Sequence, residues 1–168
     1  MHSKQYDLGN GGLIFKQKFI TCLATGCYVG YVPFAPGTFG SLIGIPLAWL
    51  LSRLALPLSI LAIFSFIILS CWIGGEAEKV FNQKDSGCIV IDEIGGMMIT
   101  FFMVPWSIQN MLIGFVLFRV FDIAKPFPIR LIDKRLKGGL GVVMDDIVAG
   151  IYANLVLRLL LFFLHGSV

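Results

Sequence analysis

Histidine is nearly absent from this chain: the two present, His2 and His165, stand at opposite ends with no ligand spacing between them. That scarcity removes histidine-dependent phosphatase chemistry and most zinc sites. The four cysteines, Cys22, Cys27, Cys71 and Cys88, form no C-x-x-C pair, so neither a zinc ribbon nor a thioredoxin-type centre is indicated. No C-x5-R is present for a cysteine phosphatase, and no D-x-D-x-[TV] for an aspartyl-phosphate enzyme of that type. The D-G-x2-A-R pattern of alcohol phosphatidyltransferases is missing as well. Charge is scarce too. Only 14% of residues are charged, against about 25% in an ordinary soluble domain. The formal net charge of +3 is too small to argue for nucleic acid as a partner.

What replaces charge is apolar surface. The hydrophobic fraction is 57% and the mean hydropathy +0.88, which places most of the chain in lipid. Five apolar segments stand out, at roughly 40–52, 57–75, 94–104, 111–121 and 143–164. Long runs without turn residues, such as Ile60–Ser70 and Leu155–Leu164, predict helices, because a helix satisfies its own backbone hydrogen bonds in lipid. The expected fold is all-α: a polytopic membrane helical bundle with short helical hairpins, one domain over 1–168. Residues 1–20, with Lys4, Lys16, Lys18 and the run Gly9-Asn10-Gly11-Gly12, lack the apolar core of a cleavable signal and read as a loose cytoplasmic tail.

Segments 57–75 and 143–164 approach the ~20 residues of a full span. Segments 94–104 and 111–121 are short. Either they form one kinked span, or Pro105-Trp106-Ser107-Ile108-Gln109-Asn110 reverses the chain into a hairpin. Nine of the ten acids lie between Glu76 and Asp146, and none falls within 94–121. The hairpin puts Lys16 and Lys18 on the same side as the basic cluster Arg119, Lys125, Arg130, Lys134, Arg135 and Lys137, as the positive-inside rule prefers. The hairpin is therefore the preferred topology.

Chemistry concentrates in four motifs. Asp92-Glu93 precedes a strongly apolar run, in the expected first turn of a helix entering the membrane. Simple capping needs one acid, and carboxylates at a membrane boundary are costly unless paired or metal-bound. Asp145-Asp146 is expected to open the last hydrophobic helix in the same way. Two such pairs point to a shared divalent cation, and oxygen ligands without His or Cys fit Mg²⁺ or Mn²⁺ better than zinc. The stretch from Arg119 through Asp122 to Lys125-Pro126-Phe127-Pro128 offers a further carboxylate and two cations for phosphate. Finally, Pro36-Gly37-Thr38-Phe39-Gly40-Ser41 opens the first hydrophobic helix. There Thr38 or Ser41 can cap, and the open amides at Gly37 and Gly40 can receive phosphate.

These same motifs, in this order, resemble bacterial phosphatidylglycerophosphatase A. The resemblance runs from about Thr25 to Leu160 and includes Ile91-Asp92-Glu93 with Gly96, Phe118-Arg119, Ile129-Arg130, Gly138-Gly139-Leu140-Gly141, and Asp145-Asp146-Ile147-Val148-Ala149-Gly150. It implies an inner-membrane, multi-pass enzyme with its site towards the cytoplasm. The implied reaction removes the terminal phosphate of phosphatidylglycerophosphate, with Mg²⁺, to give phosphatidylglycerol. On the residues themselves, the expected metal ligands are Asp92, Glu93, Asp122, Asp145 and Asp146. Glu93, Asp92 and Asp146 are the catalytic set, with Glu93 taking a proton from water. Thr38, Ser41, Arg119 and Lys125 hold the phosphate. Two readings stay open beside this one: an ion transporter or channel using boundary carboxylates, and a membrane scaffold whose acids are only caps.

Overall fold

The computed structural model describes residues 8–165. Seven helices follow one another, and no strand occurs among the described residues. They are α1 Leu8–Ala24, α2 Pro36–Leu51, α3 Leu56–Phe81, α4 Ile91–Thr100, α5 Ile108–Ala124, α6 Ile129–Arg135 and α7 Gly139–His165. A short 3₁₀ turn, Val29–Tyr31, joins α1 to α2. The all-α membrane bundle expected from hydropathy is what forms.

Local signals explain most boundaries. Proline stands in the first turns of α2 and α3, where its missing N–H would have had no partner anyway. Ser107 caps α5 by accepting from the Asn110 N–H at 3.1 Å. Asn82 and Lys125 end α3 and α5 in left-handed conformation.

Three boundaries differ from the sequence reading. The tail expected over 1–20 is helical from Leu8 onward, and residues 1–7 lie outside the described residues. Burial is the reason: Ile20 and Ala24 pack with Ile73 and Ala77 of α3, and Lys16 reaches Glu76 at 2.8 Å. The last helix begins at Gly139, not at the acids, so Asp145 and Asp146 lie in its second turn. Val142 and Val143 are buried against α3 and carry the helix start upstream of the carboxylates. Neither Thr38 nor Ser41 caps α2. The N-cap is Ala35, and the Ser41 hydroxyl donates to the Gly37 carbonyl one turn back, at 2.8 Å.

α7 is the hub of the bundle, with α3, α4, α5 and α6 all packed on it, while α4 lies between α2 and α7. The α4–α7 crossing is backbone-close. A Cβ at Gly150 would overlap the Gly96 carbonyl, so glycine is required there. Two helices, Leu56–Phe81 and Gly139–Leu164, are long and apolar enough to cross a membrane. Only 22% and 33% of their apolar windows are buried in the bundle, so neither is the core helix of a soluble protein. Large side chains such as Phe64, Leu112 and Phe163 stand exposed around the girdle, where lipid would cover them.

The chain does reverse between α4 and α5. Glu93 at the start of α4 lies beside Arg119 near the end of α5, so the two run antiparallel. With ten residues, α4 is only about 15 Å long, half the ~30 Å of a hydrocarbon core. Its last carbonyls would be orphaned at depth, and α7 meets them. The Asn154 amide donates to the carbonyls of Thr100 at 2.8 Å and Phe102 at 2.9 Å. Arg158 donates to those of Phe102 at 2.8 Å and Met103 at 2.9 Å, and its Nε braces the Asn154 side-chain oxygen at 2.9 Å. A charged residue in an apolar helix thus serves as the C-terminal cap of a neighbouring one. Sequence reading had singled out neither residue, although an arginine inside the apolar stretch was itself a signal.

Candidate metal and phosphate site

Four elements converge at one end of the bundle: the first turns of α2 and α4, the last turns of α5 and the second turn of α7. Asp92 and Glu93 occupy the first turn of α4, as expected. Asp146 comes to meet them because α4 and α7 touch at glycine one turn further along. Ligand oxygens of Asp92, Glu93 and Asp146 all lie within 4.8 Å of one another. Asp92 and Asp146 are buried, at 7% and 3% exposure, where like charges cannot simply be hydrated.

Arg119 is the cation nearest this trio. Its Nη1 lies 2.7 Å from Asp122 and 3.9 Å from Glu93, and donates to the Ser41 hydroxyl at 3.4 Å. Asp122 stands against both Arg119 and Asp146, while Ser41 meets the cluster through Arg119. Gly37 closes the other side: a Cβ there would overlap Glu93 Oε1 and crowd Arg119. Thr38, half-buried in the same turn, stands next to Gly37.

Asp145 faces a different partner. Lys125, in the left-handed position after α5, donates to its Oδ2 at 2.6 Å and lies 3.4 Å from Asp133 on α6. Burial works against the Lys125 charge, but the Asp145 and Asp133 carboxylates outweigh it and hold the ammonium above its usual pKa. Asp133 was not among the sequence candidates. Its place among the basic residues of a short surface helix gave no sign of contact with the site.

The donor set fits a hard divalent cation. It is all oxygen, three carboxylates converge, and two buried carboxylate oxygens, Glu93 Oε2 and Asp145 Oδ1, have no hydrogen-bond partner. Arg119 and Lys125 are the only cations bonded to the five carboxylates among the described residues. Beside the site, a shallow and almost wholly apolar groove of about 390 Å³ runs along the outer face of α5, lined by Val116, Val120, Ile123 and the stem of Arg119. A phosphate at Arg119 could thus keep its hydrocarbon in lipid.

The family model described as Phosphatidylglycerophosphatase A matches residues 22–161. The chain is similar to Phosphatidylglycerophosphatase A of Escherichia coli (strain K12), 40% identical over 132 residues, covering 77% of this chain and 76% of the relative. It is 41% identical to the Haemophilus influenzae protein of the same name over 140 residues, covering 82% and 85%. A Bacteroides thetaiotaomicron protein, named provisionally as a phosphatidylinositol-3-phosphatase, is 34% identical over 143 residues, covering 78% and 86%. No solved structure matches.

Proposed function

The chain belongs to the phosphatidylglycerophosphatase A family, and from that premise we propose that it hydrolyses the terminal phosphomonoester of phosphatidylglycerophosphate, with Mg²⁺ held by Asp92, Glu93 and Asp146. The observation that carries this reading is the convergence of those three carboxylates beside Arg119. In the proposal, one membrane-embedded domain sits in the bacterial inner membrane with this end towards the cytoplasm, where Lys16, Lys134 and Arg135 also lie.

Bound there, a divalent cation would lower the pKa of a water ligand and polarise a phosphoryl oxygen. The chain's own residues do the rest. Arg119 binds the non-bridging oxygens by exchanging part of its contact with Asp122 for the phosphate. Lys125 adds a second positive charge and at the same time orients Asp145. Glu93 receives the proton of the attacking water at its carboxylate, one oxygen of which has no other partner, and the ester P–O bond breaks as that proton passes to the departing glycerol oxygen. Gly37 and the α2 amides, with Thr38 and Ser41, form the wall against which the phosphate rests. The diacyl part of the substrate follows the groove on α5 and never leaves the bilayer. Asp145 acts through Lys125, and Asp122 both anchors Arg119 and borders the trio at Asp146.

A transporter or channel would need acids along a path through the bundle. Every described carboxylate lies at the site end, which favours the hydrolase reading. The test is phosphate release by the purified protein from phosphatidylglycerophosphate, set beside phosphatidylinositol 3-phosphate and phosphatidic acid. Activity on the first should vanish with EDTA and return with Mg²⁺. Full activity in excess chelator would overturn the mechanism, and a preference for the inositol lipid would overturn the substrate.

A further inference from the structure

A second cavity, of about 510 Å³, opens at the opposite end of the bundle, between the α2–α3 turn and the α4–α5 connection. Ile63, Met98 and Phe101 give it apolar walls, and Arg53 is the one charged residue in its lining. All the described carboxylates lie at the other end, about 24 Å away along α2. Among the described residues the only two cations of this end are Arg53 and Arg158, and Arg158 is committed to backbone carbonyls. Arg53 is not committed to an anion. Its guanidinium rests 4.8 Å above the Trp49 ring, and no carboxylate pairs with it among the described residues.

A second donor waits in the same lining. Trp106 Nε1 is shielded from solvent and has no hydrogen-bond acceptor. A buried indole N–H ordinarily finds a partner. The cavity thus combines an uncommitted guanidinium, an unsatisfied donor and hydrocarbon walls, at the end of a bundle that sits in lipid. Water would satisfy the donors and waste the walls; an acyl chain alone would do the reverse.

We infer that this cavity binds an anionic phospholipid of the leaflet opposite the carboxylate site, with its phosphate on Arg53 and an ester or glycerol oxygen on Trp106. No carboxylate cluster is near, so the lipid is bound and not hydrolysed. The inference rests on the bundle lying in a membrane, and stands whether or not the phosphatase reading holds.

The chain has three tryptophans, so Trp49→Phe with Trp72→Phe leaves Trp106 as the sole reporter, with an aromatic ring still under Arg53. The protein is reconstituted without Mg²⁺ in mixed vesicles of phosphatidylcholine and phosphatidylglycerol, with bromine-labelled chains on one lipid or the other. As the labelled fraction is raised, half-maximal quenching of Trp106 should need about tenfold less brominated phosphatidylglycerol than brominated phosphatidylcholine, the effect of one charge-assisted contact. Arg53→Gln should abolish that preference and Arg53→Lys should keep most of it. Equal quenching by both lipids would mean annular lipid only. A preference surviving Arg53→Gln would place the headgroup elsewhere. Either result overturns the assignment.

Discussion

A Cβ on Gly37 would overlap Oε1 of Glu93. The first turn of α2 is thus the wall that fixes where this carboxylate sits, and its conformation there depends on glycine having no side chain. Gly37→Ala should push Glu93 off the trio. We expect a fall in phosphate release of about tenfold or more, since roughly 1.4 kcal/mol of lost positioning suffices for tenfold. Mn²⁺ affinity, read by electron paramagnetic resonance, should weaken in parallel. Unchanged rate and affinity would show that Glu93 is held from elsewhere.

Asp92 and Asp146 come from different helices, yet their oxygens fall within one 4.8 Å cluster. Asp92→Asn and Asp146→Asn should each lower the rate by roughly a hundredfold or more, because electrostatic stabilisation of this kind is worth several kcal/mol. Both variants should still insert and fold, since neutral amides are cheaper to bury than carboxylates. The double variant should be little worse than either single one, as residues acting as a unit are non-additive. Losses that multiply would show two independent roles and not one shared ion.

The clamp of Asn154 and Arg158 on the end of α4 makes a different kind of prediction. Asn154→Leu leaves the Thr100 carbonyl without its donor, at about 1–3 kcal/mol per buried orphan. Thermal unfolding in micelles should shift down by several degrees, and proteolysis in the 101–107 connection should accelerate. Arg158→Met should act in the same sense. If neither measurement moves, ordered water already serves those carbonyls.

Topology is checked by labelling. In a chain whose native cysteines are replaced, single cysteines at Lys16 and at Lys134 should react with an impermeant reagent from the same side of the membrane. Reaction from opposite sides would restore the four-crossing arrangement and remove the reason for drawing Lys16 and the carboxylate end together.

Much of this was legible in the sequence, for identifiable reasons. Hydropathy located the five apolar helices because lipid leaves the backbone few alternatives. The scarcity of acids made Asp92-Glu93 and Asp145-Asp146 conspicuous. Periodicity could not show that Asp145 and Asp146 part company. Adjacent residues on a helix point about 100° apart, so Asp146 turns to α4 and Asp145 to Lys125. Nor did composition reveal α1, whose glycines and lysines suggest a tail until Ile20 and Ala24 find α3. Asn154 and Arg158 escaped because each acts on carbonyls distant in sequence, and pattern reading sees only neighbours, while Asp133 was hidden among the basic residues of its short helix.

The exposed apolar girdle has a kinetic consequence. A protein whose outer surface is wetted by hydrocarbon meets its substrate by two-dimensional diffusion, so the quantity that sets the collision frequency is the mole fraction of substrate in the host phase, not its molarity in the tube. Adding inert detergent at constant total substrate spreads the same molecules over more surface, and the rate should fall as if substrate had been withdrawn. Any Michaelis constant for this chain is therefore a surface density, and values from micelles, nanodiscs and native membranes become comparable only after division by the lipid or detergent that carries them.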